Sequence, residues 1–553
     1  MLGGGGSAAA GGPAAMLAAI VSTNLAPTVP TSAAVLLLIA LLLAATALAI
    51  VARKVGLPYP VLLVLGGLAV ALVPGLPAVE LEPDVVFLLF LPPILFAAGY
   101  FTSIRDVRAN LTWILLLAVG LVLFTMVVVA VVTVALVPSL PVAAAFTLGA
   151  IVAPPDAAAA TAVFQRLGVP RRIVTILEGE SLLNDATALV AYRFAVIAAT
   201  TGSFSLATAG TTFVVAAVGG LAIGLVFGWL TTWAVDRVDD PVFSIVLTFL
   251  APLAAYLPAT ELGLSGVLAV VAAGVYLGRK APRLMSSSVR LSGLAAWQIL
   301  LFLINGSVFI LIGLQLPQVL AGLDGYTPAQ LLGLALVVSI TTILARIVWV
   351  IPGTYLVRRL SAKLREREPE LGMGKVVLVS WAGMRGVVSL AAALALPIDF
   401  PERNLVIFLT FAVILATLVG QGLTLPFLVR RLGIEDGGGT ADAEEAYARL
   451  IAADAATARL DELAAEWPGH VELIDNLRAG YEHRTRHERF RKHPEEGDED
   501  AEQELIEHRQ IRMAVLSAER ESLTILRERG AISDDVHRRV ERDLDLEELR
   551  MEV

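Results

Sequence analysis

A chain of 553 residues that is 57% hydrophobic and only 16% charged, with a mean hydropathy of +0.77, cannot cover itself with polar groups as a soluble globular protein does. Its charge is divided. Residues 1–431 hold 24 Lys and Arg against 18 Asp and Glu, whereas residues 432–553 hold 17 against 32 and all six histidines. The lack of cysteine excludes a disulfide framework, a thiolate zinc site and a thiol nucleophile.

Residues 1–32 are rich in Gly, Ala, Pro and Thr and contain no basic residue, so they lack the charged start of a secretory signal and read as a disordered leader. Apolar runs long enough to cross a ~30 Å hydrocarbon core then recur to about residue 428. Thirteen spans are predicted: 33–52, 59–73, 84–101, 111–137, 142–165, 172–199, 212–235, 241–257, 264–278, 292–316, 329–357, 374–397 and 404–429. With the N-terminus outside, twenty Lys and Arg fall in cytoplasmic connections and only Arg403 falls outside. A single missed span would invert every later loop, so this asymmetry supports the count and puts the tail in the cytoplasm. The expected fold is an all-α polytopic membrane protein, in the cell (inner) membrane, with a transmembrane domain over 33–431.

From residue 432 the character changes. Tyr447, Leu450, Ile451, Leu460, Leu463 and Trp467 follow helical spacing up to Pro468-Gly469. Val471, Ile474, Leu477 and Tyr481 suggest a second amphipathic helix. An acidic break at 495–502 precedes a third, which Gly530 would cap, and Ser533 would N-cap a fourth. Residues 432–553 are thus expected to form an acidic helical cytoplasmic regulatory domain, with His483 and His487, one turn apart, as candidate pH-sensing groups.

The chemistry concentrates in Glu178-Gly-Glu-Ser-Leu-Leu-Asn-Asp185, inside the sixth span. Three carboxylates there are costly, since a charge at mid-membrane costs at least ~3 kcal/mol. Glu178, Ser181 and Asp185 share one helical stripe, while Glu180 and Asn184 point to an adjacent one. In span five, Ile151-Val-Ala-Pro154-Pro155-Asp156 must break the helix, because successive prolines remove donors and clash with the preceding turn. Broken backbone at membrane depth survives only where it is buried in protein or lines a cavity. Span twelve offers a counterpart in Trp381-Ala-Gly-Met-Arg385-Gly, which fits the opposed breaks of inverted-repeat transporters. Arg385 would either neutralise the carbonyl ends of a break or pair with Asp156. Arg193, near the outer end of span six, is expected to snorkel. Arg346, deeper in span eleven, requires an acidic partner.

These runs, with Phe164-Gln-Arg-Leu-Gly, Leu91-Pro-Pro-Ile-Leu, Leu264-Ser-Gly-Val-Leu-Ala and Gly383-Met-Arg385-Gly, resemble the sodium/proton exchanger branch of the monovalent cation:proton antiporters, of bacterial type. The resemblance covers about residues 33–430. It implies a homodimer of thirteen-helix protomers, with a core that moves to give alternating access. It implies that Asp185 binds cation or proton in turn, in a cation- and proton-binding site with Ser181, Asp156 and Asn184, and with Ser181 among the Na⁺ ligands. It places Asn184 beside Asp156 as a hydrogen-bond partner and pairs Arg346 with Glu180 to hold the core together. Two positions depart from the pattern: many members carry an acid where this chain has Ala97, and a hydroxyl where it has Pro155.

The expected activity is secondary antiport of Na⁺, or Li⁺, against H⁺ by competition at one buried aspartate. Asn184 stands where electrogenic relatives have a second aspartate, so exchange is expected to be electroneutral, one ion for one proton. The alternatives are a K⁺/H⁺ antiporter of the same mechanism, and a gated channel or receptor whose output is the tail. An intramembrane hydrolase would need a nucleophile–base set, and residues 1–431 hold neither histidine nor cysteine. No cofactor, enzymatic activity or nucleic-acid partner is expected; the partners are Na⁺, H⁺, membrane lipid and a second protomer.

Overall fold

The structure is a computed structural model, and it describes residues 31–55, 57–73, 86–202, 206–238, 240–323, 325–360, 372–434, 439–492, 499–529 and 531–552. Residues 1–30 of the leader, residues 495–498 of the acidic break and Gly530 lie outside the described residues, while Thr31 and Ser32 already belong to the first helix. Every regular element among them is helical. The chain divides into two compact units, Met1–Glu435 and Asp436–Val553.

The first unit begins with α1 (Thr31–Val55), α2 (Tyr59–Ala71) and α3 (Leu91–Phe101), the last preceded by a π-helical turn at Val86–Phe90. Next come α4 (Leu111–Leu136), the half-helices α5 (Val142–Val152) and α6 (Ala157–Arg166), and the long α7 (Arg171–Thr201). Four helices follow: α8 (Leu206–Val235), α9 (Pro241–Glu261), α10 (Gly266–Leu284) and α11 (Ser287–Leu314). The unit closes with α12 (Pro328–Leu360), the half-helices α13 (Met373–Trp381) and α14 (Val387–Leu394), and α15 (Arg403–Leu432). Seven of these are individually long and apolar enough to cross a membrane, and α2, α3 and α5 are shorter apolar helices. This is a multi-pass membrane protein.

Helix ends follow local chemistry more closely than hydropathy. Ser286 accepts a hydrogen bond from the Val289 amide at 3.4 Å, so α11 starts at Ser287, ahead of its apolar run. Asp240 likewise caps α9 through the amides of Val242 and Phe243. At the other end, α10 continues through Arg279, Lys280 and Arg283 to Leu284, because straight-chain cations are good helix formers beyond the apolar zone.

Burial orders the helices. Of the most apolar stretch of α15, 72% is buried, against 22% of that of α8, which turns Phe213, Val218, Leu225, Trp229 and Trp233 outward. An outward apolar face is unremarkable in lipid, where helices associate through small residues and close backbone approach. Gly274 and Gly278 provide this on α10: a Cβ on either would strike the backbone carbonyl of Phe96 or Tyr100 on α3.

The second unit consists of α16 (Gly439–Glu466), α17 (Val471–Lys492), α18 (Glu499–Glu528) and α19 (Asp534–Glu552). α16 stops before Pro468, and α17 packs back on it with Leu460 and Ile474 buried and Arg478 reaching Asp461 at 2.6 Å. α18 and α19 form a second hairpin around Leu516 and Leu544, tied by Arg520 to Asp545 and Glu548. Ser533 caps α19 through the amide of Val536. The side chains of His483 and His487 lie outside the described residues.

Candidate functional site

The site forms where two broken helices cross. Pro154 and Pro155 end α5, and α6 restarts at Ala157. In the second half, residues 382–386 run without helix between α13 and α14. The two breaks are joined through the backbone, the Asp156 amide donating to the Met384 carbonyl at 2.7 Å. A backbone donor and acceptor freed by the breaks thus satisfy each other at membrane depth.

Charge then completes the crossing. Arg385 is fully buried; its Nε donates to the Val152 carbonyl at 2.9 Å and its Nη2 to the Ala153 carbonyl at 3.4 Å. Its Nη1 donates to the Gly383 carbonyl, and its amide donates to Thr417 Oγ1 of α15 at 3.1 Å. The guanidinium therefore sits on the carbonyl end of α5, where the helix dipole is negative, and so takes the first of the two roles open to it from sequence. Asp156 occupies the complementary place immediately before α6, at a positive helix end.

Two glycines make this approach possible. A Cβ on Gly383 would strike the side chain of Arg346, and one on Gly386 would strike the carboxylate of Asp156. We therefore expect Gly386→Ala to destabilise the protein by ~1–3 kcal/mol, the cost of overpacking a close-packed contact. Gly333→Ala, at a position on α12 where an added Cβ meets no described residue within 4 Å, should leave stability unchanged. Thermal unfolding of the purified variants checks both.

α7 supplies the remaining groups. Ser181 Oγ accepts from the Ala157 amide at 3.4 Å, and Asn184 Nδ2 donates to the Pro155 carbonyl at 3.0 Å. Asn184 thus meets the backbone of the break immediately before Asp156. This leaves Asn184 Oδ1 buried without a partner among the described residues. Asp185 follows directly, 6% exposed and near enough to Asp156 for the two charges to act on each other. Ser181, Asn184 and Asp185 thus offer hard oxygen atoms beside the break, a donor set suited to a hard monovalent cation.

Glu180 faces the other way. It forms a two-pronged ion pair with Arg346 of α12, at 2.5 and 2.8 Å, both side chains at most 1% exposed. Arg346 Nε also donates to the Val379 carbonyl at 3.2 Å, so the pair links α7, α12 and α13. Arg193 is exposed. Ala97 is buried in an apolar cluster with Leu182 and Ala186 of α7, so no acid stands there.

Sequence reasoning passed over Thr417, Gln421 and Tyr59. Thr417 and Gln421 lie in a π-helical turn at Ala416–Gln421, a distortion common at functional sites. Both heteroatoms of the Gln421 side chain are buried without a partner among the described residues. The seven, four and three spacing of Thr410, Thr417, Gln421 and Thr424 is a polar stripe that could have marked this face. Tyr59, at the start of α2, lies within electrostatic reach of Asp156.

Two opposed helix breaks, charge-compensated and crossed beside a buried carboxylate, define a membrane carrier of the inverted-repeat class. The chain belongs to the sodium/hydrogen exchanger family, whose transmembrane profile matches residues 37–431. It is 38% identical over 507 residues to an uncharacterized Na⁺/H⁺ exchanger of Mycobacterium tuberculosis, covering 89% of this chain and 91% of that protein. It is 36% identical over 391 residues to the sodium, potassium, lithium and rubidium/H⁺ antiporter of Bacillus subtilis, covering 67% of this chain and 58% of that one. The fold matches the structure of the sodium proton antiporter MjNhaP1 from Methanocaldococcus jannaschii at pH 8, with a TM-score of 0.58 at 21% identity, over 72% of this chain and 98% of that one.

Proposed function

We propose that the protein exchanges Na⁺ for H⁺ across the cell membrane, by alternating access at Asp185. The carrying observation is the placement of this carboxylate, nearly buried, directly beside an asparagine pinned to the broken helix. A proton and a partly dehydrated cation compete for the same oxygens, and either one removes the isolated charge that would hinder movement through the low-dielectric core. Ser181 Oγ, Asn184 Oδ1 and the Asp185 carboxylate form the cation-binding set, with Asp156 holding the break. Glu180 and Arg346 maintain the shape of the core. The moving element is a dimer's protomer core, with the N-terminus outside and the tail, a regulatory domain, in the cytoplasm.

Selectivity among alkali cations is expected to be broad. Ala97 contributes no oxygen ligand, and the Bacillus subtilis relative is named for sodium, potassium, lithium and rubidium. K⁺ is accordingly the second candidate ion. Proton flux driven by Na⁺, Li⁺ or K⁺ in proteoliposomes ranks them, and flux with none of the three would overturn the reading.

Exchange is expected to be electroneutral. Asn184 replaces a second titratable acid, Arg385 is committed to backbone carbonyls, and no lysine occurs between Lys54 and Lys280. With one ion moved per proton, the membrane potential, worth ~2.3 kcal/mol per charge per 100 mV, does no work on the cycle. Under a valinomycin-clamped voltage, the point of zero flux should depend on the Na⁺ and H⁺ gradients alone. A null point that moves with voltage would implicate a second cycling carboxylate.

A further inference from the structure

The polar stripe of α7 extends beyond the crossing. Arg171, Thr175, Glu178, Ser181 and Asp185 follow at intervals of four, three, three and four, and so lie along one side of the helix. Ser181 and Asp185 belong to the crossing. The other three line a separate cavity of about 310 Å³. Its remaining walls are the end of α3 with Thr102 and Ser103, Asp106 of the short helix Ile104–Ala109, and the turn between α6 and α7.

Three charged groups line the cavity. Arg171 lies on its open side, with 75% of its side chain exposed, and its Nη2 is 3.4 Å from the carboxylate of Asp106. Arg171 acts electrostatically on Glu178 as well, so two carboxylates face the water against one guanidinium and the cavity carries a net negative charge. Glu178 is half-buried, and among the described residues no ion pair or hydrogen bond holds it. Along the axis it stands ~10 Å from Asp185, with Ser181 between them.

We propose that Glu178 is a relay carboxylate, which draws a monovalent cation into this cavity and passes it by way of Ser181 to Asp185. The hydroxyls of Thr175 and Ser103 supply further hard oxygen atoms at the mouth. The cavity lies at the end of α7 that carries Arg171 and Arg172, near Arg105 and Arg108, which the positive-inside rule assigns to the cytoplasm. The relay therefore serves one face of the membrane. This inference rests on the antiport reading above.

The test measures full-length protein in right-side-out and everted vesicles, with Na⁺ as the probe, for wild type, Glu178→Gln, Glu178→Asp and Thr175→Phe. Removing the cavity's net negative charge lowers the local cation concentration there, and should raise the half-saturating Na⁺ concentration on the cytoplasmic face by roughly threefold to tenfold. The outer face should be unchanged. Glu178→Asp should recover most of the loss, and Thr175→Phe, which fills the cavity, should slow cytoplasmic loading with Glu178 intact. Equal shifts on both faces, or none, would overturn the relay. If Glu178→Gln does not yield folded protein, Thr175→Phe decides: a purely cytoplasmic effect supports the relay and no effect overturns it. Absence of flux in the wild type would instead overturn the antiport reading itself.

Discussion

Asp185→Asn is expected to reduce cation-driven proton flux to the level of protein-free vesicles, while leaving yield and assembly close to those of the wild type. The substitution preserves shape and removes the group that can be either charged or protonated. The 6% exposure of Asp185 gives neither bulk water nor an exposed neighbour a way to replace it. Its stability should not suffer, because burying a neutral amide costs less than burying a carboxylate. The readouts are fluorescence size-exclusion and flux on the same preparation. A folded Asp185→Asn protein that still exchanges at a substantial rate would remove this residue from the mechanism.

Glu180→Ala should behave in the opposite way, damaging the fold first. It leaves Arg346 as an uncompensated cation, 0% exposed, which costs ~3–5 kcal/mol. The loss is felt at three helices at once, since Arg346 also holds the Val379 carbonyl at the end of α13. Yield and melting temperature should fall steeply. The double substitution Glu180→Met with Arg346→Met removes both charges, and should be markedly more stable than either single change. A Glu180→Ala protein of normal stability that has lost only transport would make Glu180 a transport residue instead.

How much of this could be read from the chain depends on the range of the interaction. The break at Pro154-Pro155 was legible because proline acts on its own turn, and the break at residues 382–386 because glycines and an arginine in mid-span have few other uses. The stripe assignment of Glu178, Ser181 and Asp185 needs only helical periodicity. The Glu180–Arg346 pair needed family resemblance, because 166 residues separate the partners. The crossing contact between Asp156 and Met384 was not legible at all, since it joins backbone atoms and leaves no mark on side-chain type. Thr417 was hidden for a different reason. A threonine in an apolar helix ordinarily bonds its own turn, as this one does to the Val413 carbonyl, and its second task with Arg385 exists only in three dimensions. The cavity at Glu178 was equally invisible, being formed by α3 and by the turn between α6 and α7 as well as by α7.

Competition between a proton and a cation for Asp185 is most directly tested by counting protons released as Na⁺ binds. Calorimetric titration of the purified protein in buffers of different ionisation enthalpy gives that number without any transport step. Close to one proton should be released per Na⁺ bound at a pH where Asp185 is protonated, and neither release nor Na⁺ binding should occur in Asp185→Asn. Na⁺ binding without proton release, or release that persists in Asp185→Asn, would contradict it.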